Sequence, residues 1–195
     1  MTTILLARHG ETDWNNEQRW QGHADQPLNE AGREQARLHA DALAQREIDA
    51  IYSSDLLRAH ETARIVGDRL ELPVEVDAGL REVDVGDWAG REVGELERED
   101  PEGFRRWQDG LKGWNGGESY EEMGERVVET VLRIAQRHPG RTLLVVTHGG
   151  SIRACRATAA GLDYAASRVS AIGSMANCEV AELRVADGRL AAAAG

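Results

Sequence analysis

Lysine is nearly absent from this chain: Lys112 is the only one among 23 basic residues, which face 34 acidic ones and leave a net charge of -11. A chain so acidic carries no basic field with which to track a phosphate backbone, so nucleic acid is excluded as a partner. Any anion it binds must be held by local arginines. Cysteine is scarce too. Cys155 and Cys178 lack C-x-x-C spacing, which argues against a disulfide framework or a zinc knuckle and leaves them as small buried apolar residues. No stretch approaches the ~18 consecutive apolar residues of a membrane span. Met1-Thr2-Thr3 runs into an apolar strand without a basic leader, so the expectation is a cytoplasmic protein with no membrane partner. Phenylalanine occurs once whereas tryptophan occurs five times, concentrating the aromatic content in large rings with a polar edge.

What is present is an alternation of strand and helix signals. Ile4 to Ala7 and Thr142 to Thr147 are apolar runs without polar interruption, which predicts strands covered on both faces. Each ends on a histidine followed by glycine, at His9-Gly10 and His148-Gly149-Gly150. Ligands in open α/β sheets bind at the carboxyl ends of the strands, so both imidazoles are candidates for one site. Asn29 offers the cap for a helix to about Arg46, with Leu28, Ala31, Leu38 and Ala42 on its apolar face. After a short strand, Ile48 to Tyr52, Ser53-Ser54-Asp55 offers a cap for a helix striped by Leu56, Ala59, Ala63, Val66 and Leu70. Arg58 falls in the first turn of that helix, where free N–H groups and the dipole already favour an anion. Pro73 to Val76 is a brief strand. Pro101 divides the charged stretch from Arg91 to Asp109 into two short helices. Ser119 with Glu122 forms a capping box for a long helix lined by Tyr120, Met123, Val127, Val131 and Ile134. Asp187-Gly188 joins the last two strands as a hairpin. With no repeat or change of composition, 195 residues form a single domain, 1–195, large enough to bury roughly 70 % of the unfolded surface.

Arg8-His9-Gly10-Glu11-Thr12, followed by Asn15, resembles the signature of the histidine phosphatase superfamily, which includes the cofactor-dependent phosphoglycerate mutases. Gln21-Gly22-His23-Ala24-Asp25-Gln26-Pro27-Leu28 is similar to a second family element that approaches the substrate phosphate. Ser54 to Ala63, containing Arg58, matches the family's second arginine motif, and Gly117-Glu118-Ser119 resembles a further one. The resemblance spans nearly the whole chain. It implies a three-layer α/β/α sandwich around a six-stranded, mostly parallel mixed sheet, and agrees with a C-terminal antiparallel hairpin.

A phosphomonoester is a dianion, so moving its phosphoryl group requires positive charge spread over three oxygens and an in-line nucleophile. Arg8, Arg58 and His148 supply the charge, and the planar guanidinium suits it by donating two parallel bonds. Asn15 and the Gly149 amide complete the expected cradle, and the resemblance implies that Gln21 and Gly22 also bind substrate. His9, followed by a glycine that leaves room for close approach, is the candidate nucleophile, with His148 as a charged donor. The resemblance implies that Glu82 is the acid and base; spacing alone does not choose among Glu82, Asp84 and Asp87. His23 and His60 read as a loop and a surface histidine. A zinc site from His9, His148 and a carboxylate lacks H-E-x-x-H or H-x-H spacing, and adjacent arginines would repel the ion; no metal and no cofactor are expected. A module that only binds phospholigands would have to lack His9 or Glu82, and both are present.

Family mutases carry an insertion between the acid and the Gly-Glu-Ser motif, whereas Glu82 to Gly117 here is 117 − 82 = 35 positions. Asp87-Trp88-Ala89-Gly90 is similar to the phosphatase branch. Hydrolysis of a small phosphorylated metabolite (phosphoglycerate-type, sugar or nucleoside phosphate) through a phosphohistidine is therefore the expected activity, with mutase transfer the alternative. All five tryptophans lie in segments expected around the pocket mouth. No apolar stripe identifies an oligomeric surface.

Overall fold

The computed structural model describes residues 1–169 and 172–193. Ser170, Ala171, Ala194 and Gly195, which the sequence reading counts within its domain, lie outside the described residues. Six strands form one sheet in the order β3-β2-β4-β1-β5-β6. They are β1 (Thr2–Arg8), β2 (Ala50–Ser53), β3 (Val74–Val76), β4 (Thr142–Thr147), β5 (Val180–Ala186) and β6 (Arg189–Ala192). The first four in that order run parallel, and β5 and β6 join antiparallel. Asp187 and Gly188 both adopt positive φ, 50° and 72°, the backbone of a two-residue turn that matches strand twist.

Alternation of side chains across the pleat builds two cores. Ile4, Leu6, Leu143 and Val145 pack on one face beneath α6 (Tyr120–Arg137) and α7 (Gly149–Ala159). Leu5, Ala7, Leu144 and Val146 pack on the other beneath α2 (Glu30–Leu43) and α3 (Leu57–Leu70). The result is the expected three-layer sandwich. On the α6 side it is extended by α4 (Val93–Glu99), α5 (Pro101–Gln108) and α8 (Tyr164–Val169). The Ser119–Glu122 capping box is present at the start of α6, an arrangement worth about 1 kcal/mol. Asp100 caps α5 by accepting the Gly103 N–H at 2.9 Å. Among the described residues, no helix is long and apolar enough to cross a membrane.

Two local expectations are corrected. Helix α2 buries Gly32, Ala36, Ala40 and Leu43, together with Leu28 just before it, whereas Ala31 and Ala42 are exposed and Leu38 is 64 % exposed. Its contact face is chosen by small residues. A Cβ on Gly32 would lie 2.1 Å from the Glu11 carbonyl oxygen, so only the glycine face can approach the loop after β1. Helix α3 is not capped from Ser53-Ser54-Asp55 at its N-cap, which is Leu56. Its first free N–H, on Leu57, goes to Asp25 Oδ1 at 2.6 Å, a residue from the distant 21–25 loop.

This topology creates a crevice. Strands β1 and β4 are neighbours, with Arg8 opposite Thr147, yet the chain leaves β1 toward α2 on one face and β4 toward α7 on the other. Such a divergence is where doubly wound sheets open to ligands.

Candidate active site

Parallel register delivers the two histidines side by side. The His9 N–H donates to the Thr147 carbonyl at 3.0 Å, and the imidazole centroids of His9 and His148 stand 5.3 Å apart at 59°. The Gly10 carbonyl can only accept, so the 2.7 Å contact from His9 Nδ1 fixes the proton on Nδ1 and leaves the Nε2 lone pair unprotonated. The other side of Gly10 is held by its N–H donating to Thr62 Oγ1 at 3.0 Å. Burial, then the charges of Arg58 and Arg8, hold His9 well below the usual imidazole range, so the ring is a neutral base at physiological pH.

The arginines are buried with donors left over. Arg58, from the first turn of α3, donates from Nη1 to the Ala24 carbonyl at 2.9 Å and from Nη2 to the Gly22 carbonyl at 2.8 Å. Arg8 donates from Nη1 to the Met175 carbonyl at 2.6 Å. Both Nε atoms are buried without a hydrogen-bond partner, as is Nδ1 of His148. Burial lowers the pKa of both guanidiniums, Arg58 to about 10, while Glu82 pulls the other way; both remain cations. Unpaired buried donors cost free energy unless a ligand answers them, and Arg8 and Arg58 carry theirs on residues that line one pocket with His9.

The remaining predicted residues gather at the same place. Arg8, His9, Asn15, Gln21, Gly22, Arg58, Glu82 and Gly149 all line one pocket of about 460 Å³. Asn15 closes the short helix α1 (Asp13–Asn16) by accepting the Thr12 N–H at 3.1 Å on Oδ1, which leaves its amide hydrogens to donate. Gly149 opens α7, with His148 at the N-cap, so its N–H lies outside the helical ladder. A Cβ on Gly149 would lie 3.7 Å from Arg8 Nε. Glu82 Oε2 accepts the Gly150 N–H at 2.9 Å and Oε1 the Val83 N–H at 2.9 Å. Of the three carboxylates that spacing left open, Glu82 is the one that lines the pocket, whereas Asp84 Oδ1 binds the Gly86 N–H and Asp87 holds Asn115.

His148 departs from expectation. It is buried out of contact with solvent, and burial first, then Arg58, His9, His23 and Arg8, hold it well below the usual range. In the free site it is a neutral ring braced by Ser54 Oγ at 2.9 Å from Nε2, with Nδ1 unpaired, rather than a standing cation. The tryptophans divide as well. Trp14, Trp20 and Trp107 line the pocket with Tyr120 and Tyr164, whereas Trp88 and Trp114 are core residues behind them, 1 % and 2 % exposed. Cys155 and Cys178 are free thiols, Cys155 buried as expected and Cys178 only half-buried because it sits in the turn before β5; burial pushes them up to about 12 and about 11.

Sequence reasoning missed the brace behind Glu82. Arg126 of α6 donates to the carbonyls of Gly79, Arg81 and Glu82 at 2.9, 3.1 and 3.2 Å, and pairs with Glu118. Glu118 Oε1 in turn accepts the Asp84 N–H at 3.1 Å. His23 Nε2 donates to the Glu82 carbonyl at 2.9 Å, so this loop histidine ties its own loop to the one that carries Glu82. The available signal was Gly117-Glu118-Ser119, of which only Ser119 had been given a role.

A mixed α/β sheet whose central parallel strands, β1 and β4, end on paired imidazoles beside two buried arginines has the layout of a phosphoryl-transfer enzyme. A model of the histidine phosphatase superfamily, branch 1, matches residues 4–194, and the chain belongs to that family as a phosphatase. It is 36% identical to phosphoserine phosphatase 1 of Hydrogenobacter thermophilus over 84% of this chain and 78% of the relative. Glucosyl-3-phosphoglycerate phosphatase of Mycolicibacterium vanbaalenii is 35% identical over 92% of this chain and 83% of the relative. Among solved structures, Bacillus stearothermophilus YhfR superposes with a TM-score of 0.92 at 35% identity, covering 99% of this chain and 96% of that one.

Proposed function

We propose that the chain hydrolyses small phosphomonoesters through a phosphohistidine on His9. The observation that carries this reading is the pairing of His9 Nδ1–H with the Gly10 carbonyl, which presents an unprotonated Nε2 beside the unpaired Nε atoms of Arg8 and Arg58. A substrate phosphate bound by Arg8, Arg58, His148 Nδ1, Asn15 and the Gly149 N–H has its charge spread over these donors. His9 Nε2 attacks phosphorus, the phosphorus–oxygen ester bond breaks, and Glu82 gives a proton to the departing alcohol oxygen. A water molecule then loses a proton to Glu82 as it attacks the phosphohistidine, releasing inorganic phosphate and restoring the imidazole. The bound dianion favours a proton on His148, converting a neutral ring into a charge-assisted donor during turnover.

Relatives named for phosphoserine and for glucosyl-3-phosphoglycerate support a small phosphorylated metabolite as substrate, acted on by one domain spanning the chain. Rapid mixing with radiolabelled p-nitrophenyl phosphate and an alkaline quench, which phosphohistidine survives, tests the mechanism. Label should be trapped on the native protein and be absent from His9→Ala; hydrolysis at an unchanged rate in His9→Ala would end the proposal.

A further inference from the structure

We infer that the pocket beyond the phosphate seat selects esters of uncharged, ring-bearing alcohols over esters of small acids, an inference that rests on the phosphatase reading above. Trp14, Trp20, Trp107 and Tyr164 line the same pocket as Arg8, His9 and Arg58, and neighbouring rings hold the last three of these aromatics in place. Trp20 meets Trp107 edge to face at 5.3 Å and 88°, and Tyr164 stacks on Tyr120 at 4.3 Å and 9°. A wall of fixed rings offers a large, preorganised apolar surface at little entropic cost to a flat or cyclic group.

A second observation points to the polarity of that group. Trp20 Nε1 is buried without a hydrogen-bond partner, although it sits on a residue of the pocket wall. An indole N–H withheld from water is costly unless a ligand brings an acceptor, and a ring carrying a hydroxyl, ether or ring nitrogen does so. The other cations of the pocket lining already have partners on at least one nitrogen. Arg19 is held by Glu17 and Glu92, each at 2.6 Å, and Arg153 turns Nη1 to the carbonyls of Ser167 and Ile172 at 3.3 and 3.2 Å. The seat formed by Arg8 and Arg58 is filled by the phosphate itself. A volume of about 460 Å³ lies in the range of sites that enclose a whole organic ligand, so a three-carbon acid would leave the aromatic wall facing water.

The test compares kcat/KM for benzyl phosphate, adenosine 5′-monophosphate and glucose 6-phosphate with that for phosphoserine and 3-phosphoglycerate. All five are esters of alkyl alcohols, so the ratios report the leaving-group site rather than leaving-group acidity. At least one ring ester should exceed both acids by about tenfold or more; which one does so identifies aryl, nucleoside or sugar as the source. Trp107→Ala should collapse the ratio toward one, and Trp14→Ala, in a half-exposed single-turn helix, repeats the test where the larger truncation affects folding. Trp20→Phe should penalise adenosine monophosphate more than benzyl phosphate. Equal or better turnover of the small acids, with ratios unmoved by the variants, overturns the inference and points to Arg153 as a carboxylate ligand. Turnover of none of the five, with no labelled His9, would instead overturn the phosphatase reading and the inference with it.

Discussion

Glu82 Oε2 and the N–H of Gly150 are joined at 2.9 Å, a bond that ties the loop after β3 to the first turn of α7 and holds the carboxylate at the pocket wall. A Cβ on Gly150 would lie 2.3 Å from Glu82 Oε1. Gly150→Ala should therefore displace the end of a flexible side chain while the helix, which tolerates alanine, stays folded. Like Glu82→Gln, it should slow alkyl phosphates by roughly 10²–10⁴-fold, the usual worth of a general acid, and p-nitrophenyl phosphate far less. Equal losses on both substrates would show that Glu82 does not protonate the leaving oxygen.

Arg58 tethers the 21–25 loop through Nη1 and Nη2 and keeps Nε unpaired, the atom to which the proposed mechanism assigns anion binding. A lysine carries the charge but not the fork. For Arg58→Lys, kcat/KM should fall by about 10²–10³-fold, and protection of the 21–25 backbone from hydrogen exchange should fall with it. Activity within about twofold of native would remove Arg58 from the seat.

Acid should loosen the free protein through its two central imidazoles. Both histidines stand well below 6.5 when folded and return to about 6.5 when unfolded. Between those values the unfolded chain binds protons that the folded one does not, so their stabilising contribution is full above 6.5 and is lost as the pH falls below it, by up to about 1.4 kcal/mol per pH unit for each ring. Urea midpoints measured at about pH 7.5 and about pH 5.5 should drop at the lower value. A midpoint that stays level, in a protein whose His9→Ala variant behaves identically, would contradict the burial of the pair.

The brace behind Glu82 separates placement from chemistry. Removing Arg126 leaves the carbonyls of Gly79, Arg81 and Glu82 without their shared donor, at a cost on the order of 2–4 kcal/mol. Arg126→Ala should melt earlier and lose kcat on alkyl phosphates more than on p-nitrophenyl phosphate. His23→Gln keeps a donor for the Glu82 carbonyl and should retain most activity, whereas His23→Ala should not. If all three variants moved both substrates alike, the brace would be structural only.

The chain's order of elements was legible because local patterns and tertiary packing agree along most of it. The apolar runs Ile4 to Ala7 and Leu143 to Val146 are fully buried, the Ser119–Glu122 capping box forms, and Tyr120, Met123, Val127, Val131 and Ile134 all face the core. The reading of α2 failed because hydrophobic size ranks Leu38 above Gly32, while close approach to Glu11 demands the residue without a side chain. The cap of α3 failed because its acceptor, Asp25, lies 32 positions away in sequence.

The sequence by itself determined which chemistry was within reach: two histidine-glycine strand ends, Arg8, an arginine in a helical first turn, and several carboxylates, with nothing to rank Glu82 above Asp84 or Asp87 except resemblance. Which of these groups meet, and in what environment, follows from the folded chain alone. The tie between Glu82 and the Gly150 amide, the lowered basicity of His148 and the division of the tryptophans between pocket wall and core all depend on groups brought together from distant segments. Burial, charge and hydrogen-bond geometry are properties of that proximity, and no local pattern of residues encodes them.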